Sequence, residues 1–129
     1  MEYAYLVGRI IVGIYYLSSG VRHFTHHKMM ADYAAAKGVP AAKVAVPGSG
    51  LLLLIGGLSL LLGFQPLIGI VAILVFLLPT TFMIHNFWTI SEPMQKMGEM
   101  VNFTKNWALF GYTLMLLAIP RPWPFSVGG

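Results

Sequence analysis

The chain contains no cysteine. Disulfides, thiolate metal centres and CxxC redox chemistry carried by this polypeptide are therefore excluded. Charge is scarce as well: 9% of residues are charged against 57% hydrophobic, where a soluble domain carries roughly 25% charged residues. A chain of 129 residues makes one domain. As a soluble fold it would have to cover its surface with polar side chains it lacks. The mean hydropathy of +0.76 makes lipid the natural solvent. The N-terminal MEYAYLVGR has neither the basic stretch nor the small-residue cleavage site of a signal peptide, so the first apolar run is expected to stay as a membrane span. The net charge of +4 comes without a basic-aromatic block of the kind that reads nucleic acid. Its cations flank apolar runs, which membrane orientation explains.

Four apolar runs stand out, at about Tyr3–His23, Val46–Gly63, Pro66–His85 and Lys105–Ile119. The first, at 1.5 Å per helical residue, is about 31 Å long, enough to cross the hydrocarbon layer. The fourth is short and needs its flanks or a thinned bilayer. Gly63-Phe64-Gln65-Pro66 makes a tight uncharged turn, so the second and third runs form a helical hairpin. The connection Phe24–Ala45 predicts a short helix over Lys28–Lys37, stopped at Gly38. The connection Asn86–Lys105 predicts another, capped by Ser91, with Met94, Met97, Met100 and Val101 along one side. Pro120, Pro122 and Pro124 end the last helix and leave Trp123 and Phe125 at an interface. The expected fold is thus all-α, an integral membrane four-helix bundle with short interfacial helices in the two long connections. It forms a single transmembrane domain over residues 1–129, with a proline-rich tail at 120–129. Lys28, Lys37, Lys43, Lys96 and Lys105 all fall in those connections. The positive-inside rule then puts both connections in the cytoplasm and both termini outside.

The polar residues inside these runs are the candidates for function. Arg9, Gly13, Tyr16, Gly20 and His23 are spaced 4, 3, 4 and 3, one stripe of a helix, and a small and polar stripe faces protein rather than lipid. Arg9 has two accounts: a snorkelling side chain paired with Glu2 or a carbonyl, or a group that holds a ligand or partner. Ser49, Gly56 and Gly63 recur at sevens, with Gly50 and Gly57 one step over, which reads as a packing seam. The expected topology brings His23, His85, Asn102, Lys105 and Asn106 to one membrane depth, with Phe87 and Trp88 nearby. Such a pocket suits a carbonyl-bearing amphiphile such as a quinone head group, to which an imidazole could donate. The competing account has polar helix ends satisfying backbone groups and lipid phosphates. His23 and His27 have the i, i+4 spacing of two metal ligands, but no carboxylate is adjacent and no metal site is expected. No catalytic residue can be assigned.

These landmarks taken in order resemble the DoxX family of small four-helix membrane proteins. They are Gly8-Arg9, Gly20 with His23, Gly38-Val39-Pro40, the glycine-rich second run, His85-Asn86-Phe87-Trp88, and Asn102 with Lys105-Asn106. The resemblance implies a bacterial inner-membrane subunit of a redox complex, quinone being its possible cofactor, and an accessory subunit rather than an enzyme by itself. It equally accommodates a non-catalytic scaffold or assembly factor for partner proteins. The partners implied are the bilayer and other subunits or further copies of the chain. The resemblance further implies that Arg9, His23, His85, Phe87, Trp88, Lys105 and Asn106 matter.

Overall fold

The structure, a computed structural model, describes residues 1–128. Every regular element among them is helical: α1 (Glu2–Thr25), α2 (His27–Ala36), α3 (Ala42–Leu62), α4 (Pro66–Met83) and α5 (Pro93–Met115), with 3-10 turns at Phe87–Thr89 and Leu116–Ala118. Three helical stretches are long and apolar enough to cross a membrane: Glu2–Thr25, Ala42–Leu62 and Pro66–Thr89. α5 is comparably long, but Lys96, Glu99, Asn102, Lys105 and Asn106 make its first half polar.

α1 packs on α3, α3 on α4, and α4 on α5, while α2 lies across the start of α3. The glycine stripes set these contacts. A Cβ on Gly13 would lie 2.9 Å from Leu61 Cβ and 3.1 Å from Gly57 O, and one on Gly20 would lie 3.0 Å from Gly50 O. These pairings run in opposite senses along the two chains, so α1 and α3 are antiparallel with their backbones in near contact. Gly56, one step round α3, faces Ile73 and Gly69 of α4 instead. The expected single seam is therefore two, one for each neighbour. The buried core, including Tyr16, Leu53, Leu60, Ile70, Ile73 and Leu77, fills the space between these helices.

Three local expectations change. The short helix and fourth run expected on either side of Lys105 are one helix, α5. No proline interrupts it after Pro93, and polar residues do not stop a helix when their side chains find partners. Its cap is Glu92, not Ser91: the Glu92 carboxylate accepts from the backbone N–H of Met94 at 3.1 Å and of Gln95 at 2.6 Å. Trp123, expected as an interfacial anchor, is 2% exposed. The tail folds back across the end of α1 and α3, where Trp123 stacks edge-on against Tyr5 and Phe125 stays half exposed.

That end is held by Arg9, 3% exposed. Its Nε donates to Leu60 O at 3.0 Å and its Nη2 to Leu61 O at 3.3 Å; the guanidinium also donates to the carbonyls of Pro124 and Phe125. The last carbonyls of a helix have no partner within it. Arg9 takes those of Leu60 and Leu61, and Val127 N–H takes that of Leu62 at 2.8 Å. A cation at a helix C-terminus is also favoured by the helix dipole. Gly63 ends α3 at φ 68°, where an added Cβ would also press on Arg9 and Ser126. Of the two accounts of Arg9, the carbonyl-bound one describes its contacts.

Candidate functional site

The opposite end of the molecule is open. Among the described residues, no Cα of α1 comes within 8 Å of one of α5, so the two helices flank a gap roofed by α2. The gap holds a cavity of about 670 Å³, lined from all five helices, within the size range of small-molecule sites. Its walls are mostly apolar, with Met30, Val46, Leu52, Phe76, Leu77 and Ile84 among them. Five polar groups expected from the sequence line it: Tyr16 and His23 from α1, His85 after α4, and Lys105 and Asn106 from α5.

Antiparallel packing explains the convergence. α1 and α4 both run toward the end where α3 begins, and α5 starts from there. His23, 7% exposed, presents its Nδ1 to Ser19 O at 2.7 Å and its ring edge to Phe76. The Tyr16 hydroxyl is fully buried, beside the Thr113 side chain of α5. Lys105 Nζ sits 5.8 Å from the Tyr15 ring centroid, reaching across the gap between α5 and α1.

Beside the cavity lies a polar knot around Glu99, whose side chain is 12% exposed. Its carboxylate meets His85 Nδ1 at 3.2 Å and accepts from Asn102 Nδ2 at 3.0 Å and from the Tyr33 hydroxyl at 3.4 Å. Lys37 Nζ stands 3.9 Å away and donates to Asn86 Oδ1 at 2.8 Å. The knot ties α2, the loop after α4 and α5 together. Burial alone would raise the Glu99 pKa; the Asn102 amide, His85 and Lys37 together outweigh it and hold the carboxyl below its ordinary value. Burial, then the Glu99 charge, pushes the Tyr33 hydroxyl up.

A depressed carboxyl pKa means the unfolded chain binds that proton more readily. The stability this contributes is complete above the ordinary carboxyl value of about 4.3 and is lost as pH falls through the folded value. Thermal unfolding in detergent should therefore lose midpoint on acidification below about pH 4.5. The Glu99→Gln protein should start lower and show a flatter acid limb. Parallel acid limbs for the two proteins would contradict the assignment.

Not every sequence candidate joins this group. Arg9 is at the other end of α1, about 21 Å along the helix from His23. Phe87 and Trp88 do not line the cavity; they pack with Phe82 and Phe103 in an aromatic cluster that joins α4 to α5. Asn102 faces Glu99 rather than the cavity. His27 Nε2 donates to Lys43 O at 3.0 Å. Pro47, four residues on, has no N–H for that carbonyl, so His27 fills a gap in the α3 ladder. Among the described residues, no group of three or more His, Asp and Glu side chains is placed to hold a metal ion.

Glu99 was not singled out from the sequence, though a signal existed. It is one of only four acids, and with Asn102 and Asn106 it continues a 3, 4 spacing along one face of a helix. Splitting α5 into two pieces hid that stripe.

The model of the family described as DoxX matches residues 4–86, from α1 through the end of α4. The landmarks at Asn102, Lys105 and Asn106 lie beyond the matched stretch. No curated protein and no solved structure matches the chain.

Proposed function

The chain belongs to the DoxX family, and from that premise we propose that it is an inner-membrane, multi-pass subunit of a redox complex that holds a quinone-class amphiphile in the cavity. The observation that carries the reading is the cavity itself: apolar walls around about 670 Å³ with His23, His85, Lys105 and Asn106 as the polar contacts. A few convergent polar groups in an apolar cleft are what a ring with a polar head and a greasy tail requires. The gap between α1 and α5 offers such a ligand a way in from lipid. In this reading the bundle has four spans, the fourth being the half of α5 from Lys105 onward, short as it is. α2 and the start of α5 lie at the cytoplasmic interface with their lysines, and both termini lie outside.

The test is purification with native lipids, followed by extraction and identification of bound quinone. His85→Ala should reduce the bound ligand, its oxidised and reduced forms counted together, about tenfold, the worth of one good hydrogen bond in a desolvated site. Met97→Ser and Met100→Ser should leave it unchanged.

A second reading rests on a different surface. Met94, Met97, Met100 and Val101 of α5 are exposed, a flexible apolar row suited to docking a partner subunit or another copy of the chain. As a non-catalytic scaffold or assembly factor, the protein would lose a co-purifying partner on Met97→Ser or Met100→Ser and be indifferent to His85→Ala.

A further inference from the structure

The hydrogen-bond partners of the two imidazoles at the cavity assign the same tautomer to both neutral rings. A carbonyl oxygen only accepts hydrogen bonds, so His23 Nδ1, 2.7 Å from Ser19 O, carries the proton. An ionised carboxylate also only accepts, so His85 Nδ1, 3.2 Å from Glu99 Oε2, carries one too. A neutral imidazole has a single N–H. At pH 7.5, above the ordinary imidazole value of about 6.5, each neutral ring keeps a lone pair on Nε2, and neither Nε2 has a hydrogen-bond partner among the described residues. Both rings line the same cavity. The sequence alone suggested imidazoles donating to a carbonyl; the partners on Nδ1 make them acceptors.

The cavity then offers acceptors at His23 and His85 and donors at Lys105 and the Asn106 amide. A quinone carbonyl only accepts. It could meet the donors but would leave a desolvated imidazole lone pair facing another acceptor. A phenolic hydroxyl donates and accepts, so it can satisfy both kinds of group. Sites that hold a ligand hydroxyl discriminate strongly against the analogue without it, because their own polar groups are left unpaired.

Resting on the reading of the cavity as a ligand site, we propose that it takes the hydroxyl-bearing, reduced form of a ring amphiphile in preference to the carbonyl-bearing, oxidised form. Glu99 is a positioning residue for this choice: it acts on the ligand through His85.

The experiment compares decyl-hydroquinone with decyl-quinone, titrated calorimetrically into the detergent-solubilised full chain at pH 7.5 under nitrogen. The hydroquinone is expected to bind about tenfold more tightly or better, the worth of one satisfied hydrogen bond. Equal binding, or tighter binding of the quinone, overturns the proposal while leaving the cavity a ligand site. No binding of either form overturns the proposal and the reading beneath it. Glu99→Gln supplies the second arm. A glutamine amide can donate to Nδ1 and release the other tautomer, so the preference should shrink toward unity with quinone affinity unchanged or improved. A Glu99 that only holds the fold together would weaken both forms equally and keep the ratio. That outcome would overturn its positioning role.

Discussion

Replacing Arg9 with methionine is expected to free the C-terminal tail and to destabilise the protein by about 3–5 kcal/mol. Two effects compete. Removing a buried cation removes its desolvation cost, which by itself favours the apolar residue. Against this stand the carbonyls of Leu60, Leu61, Pro124 and Phe125, all of which Arg9 serves. Each hydrogen bond to a charged group is worth about 1.5–3 kcal/mol, and an orphaned buried acceptor costs about 1–3 kcal/mol. With four acceptors and one cation, the loss wins. The guanidinium also stands 5.8 Å and 5.7 Å from the Tyr5 and Trp123 ring centroids, so Trp123 loses a neighbour as well. Three measurements report the change: a lower unfolding midpoint, a red-shifted tryptophan emission, and faster proteolysis between Arg121 and Phe125. Arg9→Lys should fall between the two proteins, since an ammonium lacks the planar fork that reaches several carbonyls. An Arg9→Met protein with unchanged midpoint and emission would show that water serves those carbonyls and that the tail is held by Trp123 alone.

Gly57→Val should cost nearly as much, at or above the upper end of the usual 1–3 kcal/mol for overpacking. A Cβ there would lie 2.9 Å from Leu17 N and 3.0 Å from Gly13 O. Both are backbone atoms, so no rotamer change relieves the contact and α1 must move away from α3. In a membrane, helix association depends on such close packing because lipid supplies no hydrophobic drive between helices. Since α1 carries His23, binding at the proposed site should weaken along with stability. Gly8→Ala is the control: nothing lies within 4 Å of its added Cβ, and the gain in helix propensity predicts no loss of stability. A Gly57→Val protein with an unchanged unfolding midpoint would mean that the α1–α3 contact is looser than described.

The helices themselves were legible from the residues. Long apolar runs set α1, α3 and α4, because backbone groups in lipid must be satisfied within the helix and few other arrangements remain. Gly63-Phe64-Gln65-Pro66 marked the hairpin, and the 4, 3 spacing of Gly13, Tyr16, Gly20 and His23 correctly named the buried face of α1. Trp123 was misplaced because a tryptophan after a proline reads equally well as an interfacial anchor or as a plug. Only the carbonyls waiting at the end of α3 decide between them.

Composition and periodicity by themselves determined the helical class, the small residues at the contacts, and the end of the molecule at which the histidines gather. Those properties depend on local spacing and on a short list of allowed connections. Tertiary structure alone decided that α5 is one helix, that α1 and α5 stand apart around a cavity, and that Glu99 faces His85. It also decided which nitrogen of each imidazole is free. Hydrogen-bond roles belong to pairs of groups distant in the chain, and a residue's type does not say which of its atoms its neighbours will occupy.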